Sequence, residues 1–286
     1  MKAKLSIYIL FSLILLIFLS GCLSQSVTPE TQFLTNEPVP GETPTESIHG
    51  DKPKETKLAS EADVITKEVD YFGEARGFLA KPSSEGSYPG VVMIHEWWGL
   101  NDNIRNEAQK LAKEGYVVLA VDLFEKSPAQ TPDEARALVG SFSQERGIQN
   151  MQAAKDYLQQ KESVVKIASL GWCFGGGQSL QLALNSDDLD ATVIYYGRLV
   201  TEKDELSVIN WPVLGIFGSE DQGIPVSTVR EFEASLNDLG VENNIHIYEG
   251  ANHAFANPSG SSYKMEAAVD AWEKTIAFLN KNLKEA

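Results

Sequence analysis

The hexapeptide Gly171-Trp172-Cys173-Phe174-Gly175-Gly176 sets a thiol at the junction of an apolar strand-like run and a helix-like run. A nucleophile on so tight a strand-to-helix turn is held in a strained backbone conformation. The flanking glycines carry no side chains to clash with it, and they let helix and strand approach closely. The turn projects the sulfur past the sheet edge, at a helix N-terminus whose partial positive charge favours thiolate. A buried, inert cysteine beside a structural glycine turn would leave the same pattern. Two downstream segments favour the functional reading. Asp221, in Phe217-Gly218-Ser219-Glu220-Asp221, follows an apolar strand directly and precedes Pro225. His253, in Gly250-Ala251-Asn252-His253, follows the next strand. Each group falls just past a strand's C-terminal end, where open parallel sheets place their sites. His253 would serve the thiol as general base and Asp221 would fix its tautomer, a set suited to acyl transfer through a covalent intermediate. His246 lies inside a strand and is read as structural; His49 lies in a polar N-terminal stretch.

The elements that must position these groups follow from periodicity. Short apolar runs at 90–95, 116–124, 165–172, 191–196 and 212–217 read as strands buried on both faces. The segment 243–248 reads as a further strand. Helical spacing marks 103–113, with Ile104, Ala108 and Leu111 on one face, and also 175–184, 226–239 and 262–282. Thr131-Pro132-Asp133-Glu134 is an N-cap with proline at the first helical position and a capping-box glutamate, opening two helices at 132–141 and 144–160. Val64 to Phe72 and Arg76 to Lys81 form a leading antiparallel pair. Alternating strands and helices predict an α/β fold with a mostly parallel central sheet and helices on both faces.

The order nucleophile, acid, histidine is that of α/β-hydrolase triads. In that fold the loop after the first long strand supplies one oxyanion-hole amide, and the residue after the nucleophile supplies the other. Here that loop reads His95-Glu96-Trp97-Trp98-Gly99-Leu100, so the donors would be the backbone N–H groups of Trp97 and Phe174. An ionised Glu96 beside the hole would repel the developing oxyanion, so it needs another role.

Taken together, HEWWGL, GWCFGG, GSED and GANHAFAN resemble the dienelactone hydrolase family over residues 63–286. The resemblance implies a catalytic set of Cys173, Asp221, His253 and Glu96. Glu96 would activate the thiol, either by accepting its proton or by holding the resting sulfur away from His253. A carboxylate near a low-dielectric site has a raised pKa suited to proton transfer. The chain departs from the family at two substrate-binding arginines. Asn257 stands at one, four residues after the catalytic histidine, and Lys126 is the nearest match to the other. Asparagine cannot replace a guanidinium and lysine lacks its bidentate fork, so the expected substrate is a neutral or apolar ester or lactone rather than the dienelactone itself. Trp97, Trp98, Trp172 and Tyr196 are candidates for an aromatic wall, though core packing would use the same residues. No metal or organic cofactor is required. Three other uses of the site are weighed against hydrolysis: non-catalytic ligand binding, a thiol acyltransferase or peptidase, and a redox-sensing thiol, which would need an intermolecular disulfide.

Composition sets the remaining limits. Among 286 residues, Lys and Arg number 24 and Asp and Glu 40, a formal net charge of −16. That balance argues against nucleic-acid binding, which rests on cations displacing phosphate counterions. Lys2 and Lys4 precede an apolar run from Leu5 to Leu19, followed by Ser20, Gly21 and Cys22. A basic start, a short apolar run and small residues describe a secretory signal over 1–21. Leu19-Ser20-Gly21-Cys22 resembles the lipobox of prokaryotic lipoproteins. The expectation is therefore an exported protein lipidated at Cys22 and held on the outer face of a prokaryotic membrane. From Ser24 to Ser60, 20 of 37 residues are Thr, Pro, Ser or Glu, so 22–62 is read as a disordered tether. With Cys22 lipidated, Cys173 has no partner for an internal disulfide. The remaining length, 63–286, suits one α/β domain, expected to act as a monomer.

Overall fold

The computed structural model describes residues 63–285; the expected signal segment, Cys22 and the tether lie outside the described residues. In chain order the elements are β1 (Val64–Phe72), β2 (Ala75–Pro82), β3 (Gly90–Ile94), α1 (Asp102–Lys113), β4 (Val117–Ala120), α2 (Pro132–Gly140), α3 (Gln144–Lys161), β5 (Ile167–Trp172), α4 (Phe174–Leu184), β6 (Ala191–Tyr195), α5 (Lys203–Leu206), β7 (Val213–Gly218), α6 (Val226–Asp238), β8 (Asn243–Tyr248) and α7 (Met265–Leu279), which ends in a π-helical turn, Asn280–Lys284. One eight-stranded sheet has the order β1-β2-β4-β3-β5-β6-β7-β8. β1, β2 and β4 pair antiparallel, and every pair from β4–β3 to β7–β8 is parallel. This is the α/β fold expected from the alternating pattern.

Period-2 alternation sends successive strand residues to opposite faces. Val92 and Ile94 of β3 join Leu119, Met151, Leu158, Val229 and Phe232 under α3, α4 and α6. Val91 and Met93 join Val118, Ile104, Leu111, Ala271 and Phe278 under α1 and α7. Each of these large apolar side chains contributes ~1.5–3 kcal/mol by leaving water, so a strand shifted by one residue would lose its whole set from both cores. α4 is covered almost all round, which explains its glycines and small polar residues.

The fold places the site at a switch point. From β3 the chain moves to β4 on one side, then returns past it to β5 on the other. Loops leaving the C-terminal ends of β3 and β5 therefore diverge and open a crevice between them. The loop bearing Glu96 follows β3, and Cys173 follows β5.

Some boundaries differ from the sequence reading for local reasons. The strand expected at 116–124 stops at Ala120, because the Asp122 carboxylate accepts the amides of Phe124 (3.2 Å) and Glu125 (2.9 Å) and turns the chain. The last helix begins at Met265 rather than Ser262, after turns in which Gly260 donates to Asn257 and Tyr263 to Gly260. α5 has no counterpart in the sequence reading, since four residues are too short to show a period. The capping box at Thr131 forms as read, with Glu134 reaching back to the cap.

Candidate active site

β5 delivers Cys173 onto a turn with φ 55° and ψ −117°, a backbone conformation that L-residues avoid. The surroundings enforce it. The Cys173 amide donates to Tyr195 O (3.0 Å), tying the turn to β6, and the Gly177 amide donates to Cys173 O (3.2 Å), starting α4. A Cβ on Gly171 would lie 2.0 Å from Gly175 O, and one on Gly175 would lie 2.3 Å from Ile94 O. Any side chain at either position would push α4 off the sheet and release the strain that aims the sulfur. The thiol is half-buried.

His253 reaches it from the loop after β8. Its Nε2 lies 3.0 Å from Cys173 Sγ, and its Nδ1 lies 2.7 Å from Asp221 Oδ2. Asp221 is held by its other oxygen, which accepts the amides of Gly223 (2.8 Å) and Ile224 (3.1 Å). Burial pushes the Asp221 carboxyl up, but its hydrogen bond and attraction to His253, with the two amides, outweigh that and hold it below the usual range. Burial pulls His253 down, and the hydrogen bonds and charges of Asp221 and Cys173 reverse this, leaving the imidazole well above its ordinary value. An imidazolium facing the sulfur stabilises negative charge on it. The Tyr196 ring packs edge-on against the imidazole at 5.3 Å and limits its tilt.

The β3 loop is fixed by His95, whose role sequence reasoning missed. His95 is fully buried, and burial pulls its pKa down to about 4. The neutral ring accepts the Leu123 amide at Nε2 (3.2 Å), so Nδ1 carries the proton and donates to Glu96 O (2.6 Å). It thus staples the loop after β3 to the loop after β4. Among the described residues, the backbone N–H groups of Trp97 and Phe174 donate to no acceptor. Glu96 is 3% exposed. Its Oε2 accepts from Asn257 Nδ2, and Asn257 Oδ1 accepts the Ser259 amide (2.9 Å), which sets the direction of the Asn257 amide. Burial raises the Glu96 carboxyl to about 7, against the opposing pull of Asn257 and of the His253 charge. Near neutrality a large part of it is uncharged, which lessens the repulsion expected beside an oxyanion site. The sulfur rests on His253 and is not held away from it, while Glu96 spends its hydrogen bond on Asn257.

The model of the dienelactone hydrolase family matches residues 75–283. The chain belongs to the dienelactone hydrolase family. It is accordingly a hydrolase of the lactone and ester class. A relative from Saccharolobus solfataricus named "Putative carboxymethylenebutenolidase" is 32% identical over 265 residues, covering 76% of this chain and 99% of its own. A crystal structure of a dienelactone hydrolase-like promiscuous phosphotriesterase from metagenomic libraries superimposes with a TM-score of 0.67 at 25% identity, covering 77% of this chain and 98% of that one. The dienelactone hydrolase of Anabaena variabilis shares the fold, with a TM-score of 0.58 at 20% identity over 78% of this chain and 99% of that one.

Within this family member, two cavities flank the loops that carry Glu96 and Cys173 and divide the expected pocket residues between them. The first, of about 750 Å³, holds Cys173, Phe174 and His253. Tyr196 lines both cavities, whereas Trp172 and Asn257 line only the second. Trp98 and Lys126 line neither. Trp98 packs edge-on against Trp97, with centroids 4.9 Å apart. Lys126 is exposed, because the turn capped by Asp122 carries it away from the crevice. The cation of the thiol cavity is Arg198, which the sequence reading overlooked. It stands just after β6, the same kind of position that exposed Asp221 and His253. Among the described residues it has no ion-pair partner.

Proposed function

We propose that the protein hydrolyses a carboxylic ester or lactone through a thioester acyl-enzyme on Cys173. The observation that carries this reading is the unbroken chain from sulfur to imidazole to carboxylate, 3.0 Å and then 2.7 Å. The thiol proton passes to His253 Nε2, and the thiolate attacks the carbonyl carbon. The oxygen becomes an oxyanion, received by the amides of Trp97 and Phe174; one such donor is worth ~2.7–4 kcal/mol in a well-measured protease. The tetrahedral centre collapses, the C–O bond to the alcohol breaks, and His253 returns the proton to that oxygen. A water deprotonated by His253 then attacks the thioester, releasing the acid and restoring the thiol. Asp221 holds Nδ1 protonated throughout. A partly protonated Glu96 keeps full negative charge away from the oxyanion.

Arg198 changes the expected substrate. A guanidinium in the thiol cavity favours an acyl or alcohol part bearing oxygen acceptors over a wholly apolar one. Glu202 and Glu205 also line that cavity and discourage a substrate of high negative charge. The test is hydrolysis of short p-nitrophenyl esters and small lactones by the purified protein. The Cys173→Ala variant should lose turnover; equal activity in it would reject the nucleophile. A primary alcohol or amine added as competing acceptor should leave the acid as the main product, and a main product acylated on the acceptor would make the protein a transferase.

The reading includes export and lipidation at Cys22. A fatty-acid alkyne fed to producing cells should label the wild type and not Cys22→Ala, with the label in the membrane fraction.

A further inference from the structure

The second cavity lies behind the catalytic loop, between α1 and α7, and measures about 310 Å³. It shares Tyr196 with the thiol cavity and reaches neither Cys173 nor His253. Its walls are aromatic: Trp172, Trp272 and Tyr263 stand around it. Two buried polar side chains stand among its lining residues. The first is Tyr196, 1% exposed, whose Oη is buried without a hydrogen-bond partner. A buried hydroxyl left unpaired is costly, and it becomes satisfied when a ligand brings a polar atom to it. The second is Glu96, whose carboxyl accepts from the uncharged amide of Asn257.

The charge at the cavity has one sign. Glu107 is paired with Lys110 (2.6 Å), so those two cancel. Glu96 and Glu273 remain, without a cation facing them among the lining residues. At the mouth, Tyr263 and Val269 leave apolar surface open to solvent, and Val269 is 50% exposed. Aromatic faces combined with carboxylates and no spare cation suit a positively charged organic group. A primary ammonium fits best, because both inner groups can accept from it and its three hydrogens need acceptors.

We propose that this cavity is a binding site for a primary organic ammonium carrying an aryl or alkyl group. The ammonium donates to Glu96, whose ionised carboxylate the bound cation stabilises, and to Tyr196 Oη, and its apolar part lies between Trp172 and Trp272. The site is separate from the thiol, so the proposal stands or falls without the acyl chemistry.

Binding is measured by titration calorimetry on Cys173→Ala, which removes turnover and leaves the cavity intact. The probe is 2-phenylethylammonium, with 2-phenylethanol as its uncharged counterpart. The expected result is one saturable site, with the ammonium bound roughly ten-fold tighter than the alcohol or better. E96Q and W272A should each weaken the ammonium roughly ten-fold or more. V269R keeps the interior unchanged, since its side chain sits at the open mouth, and should weaken the ammonium by charge and by obstruction. Equal affinity for amine and alcohol would overturn the proposal, and so would binding that survives V269R. Absence of saturable binding at millimolar probe would also overturn it. Alkylating Cys173 of the wild type with iodoacetamide should leave binding unchanged; loss would move the probe to the thiol cavity and overturn the assignment.

Discussion

Replacing Asp221 with asparagine isolates the part of the mechanism that depends on which imidazole nitrogen holds the proton. The change preserves shape. In the wild type, Oδ1 accepts the Gly223 and Ile224 amides at 2.8 and 3.1 Å, while Oδ2 lies 2.7 Å from His253 Nδ1. Those two amides donate, so the oxygen of the introduced side-chain amide must stay with them and its NH₂ must face His253. Two donors cannot share that short contact, so the imidazole proton moves to Nε2. There it points at Cys173 Sγ, and the lone pair that would take the thiol proton is lost. The negative charge that keeps the imidazole above its usual pKa disappears as well. In a serine enzyme the same change costs about 10⁴-fold in kcat. A thiol ionises far more readily than a hydroxyl, so a smaller loss is expected here, about 10²- to 10³-fold in kcat/KM, or ~2.7–4 kcal/mol of transition-state stabilisation. The assay is p-nitrophenyl ester hydrolysis at neutral pH, with circular dichroism and a thermal melt to show that the variant is folded. Activity within about threefold of wild type in a folded variant would refute the tautomer argument.

Three further outcomes are expected. Gly175→Ala drives a methyl group to 2.3 Å from Ile94 O and 2.4 Å from His95 O, against backbone that cannot step aside; urea unfolding should show a loss of ~1–3 kcal/mol, with activity falling further. Glu96, held near 7 in the folded chain against an ordinary 4.5, keeps its proton between those values while the unfolded chain loses it, so stability falls as pH rises through that window, by ~3 kcal/mol; chemical denaturation from pH 5 to 8 should show a shallower slope in Glu96→Gln than in wild type, the remainder coming from Asp122 and His253, whose folded-state values are also raised. Arg198→Ala should raise KM roughly tenfold for an ester bearing a carboxylate and leave a neutral ester of the same size nearly unchanged, as steady-state kinetics on the matched pair would show.

Much of the site could be read along the chain because the fold puts its chemistry at strand ends. Cys173, Asp221 and His253 each follow an apolar run, and their order is set by connectivity, which a single sequence records. The glycines around Cys173 were equally legible, since their need arises from one local turn. Side-chain direction was not. Trp98 and Lys126 lie in the loops expected to line the pocket, yet one packs on its neighbour and the other is swung outward by the Asp122 turn. Nothing in their own spacing says so, because the turn depends on two amides and a carboxylate meeting in space. His95 shows the same limit: its work is a bridge to Leu123, 28 residues away. Arg198 was legible in principle, since it stands just past β6. Tyr196 lines both cavities, and their separation has no signature in sequence.

The central claim is a covalent acyl group on one sulfur. Mixing the protein with p-nitrophenyl acetate, quenching in acid within the first turnover and measuring intact mass tests it most directly. The account expects one acetyl group per chain, located by peptide mapping to Cys173 and removed by hydroxylamine as a thioester. Continued ester hydrolysis with no adduct on Cys173, or with the adduct on another residue, would contradict it.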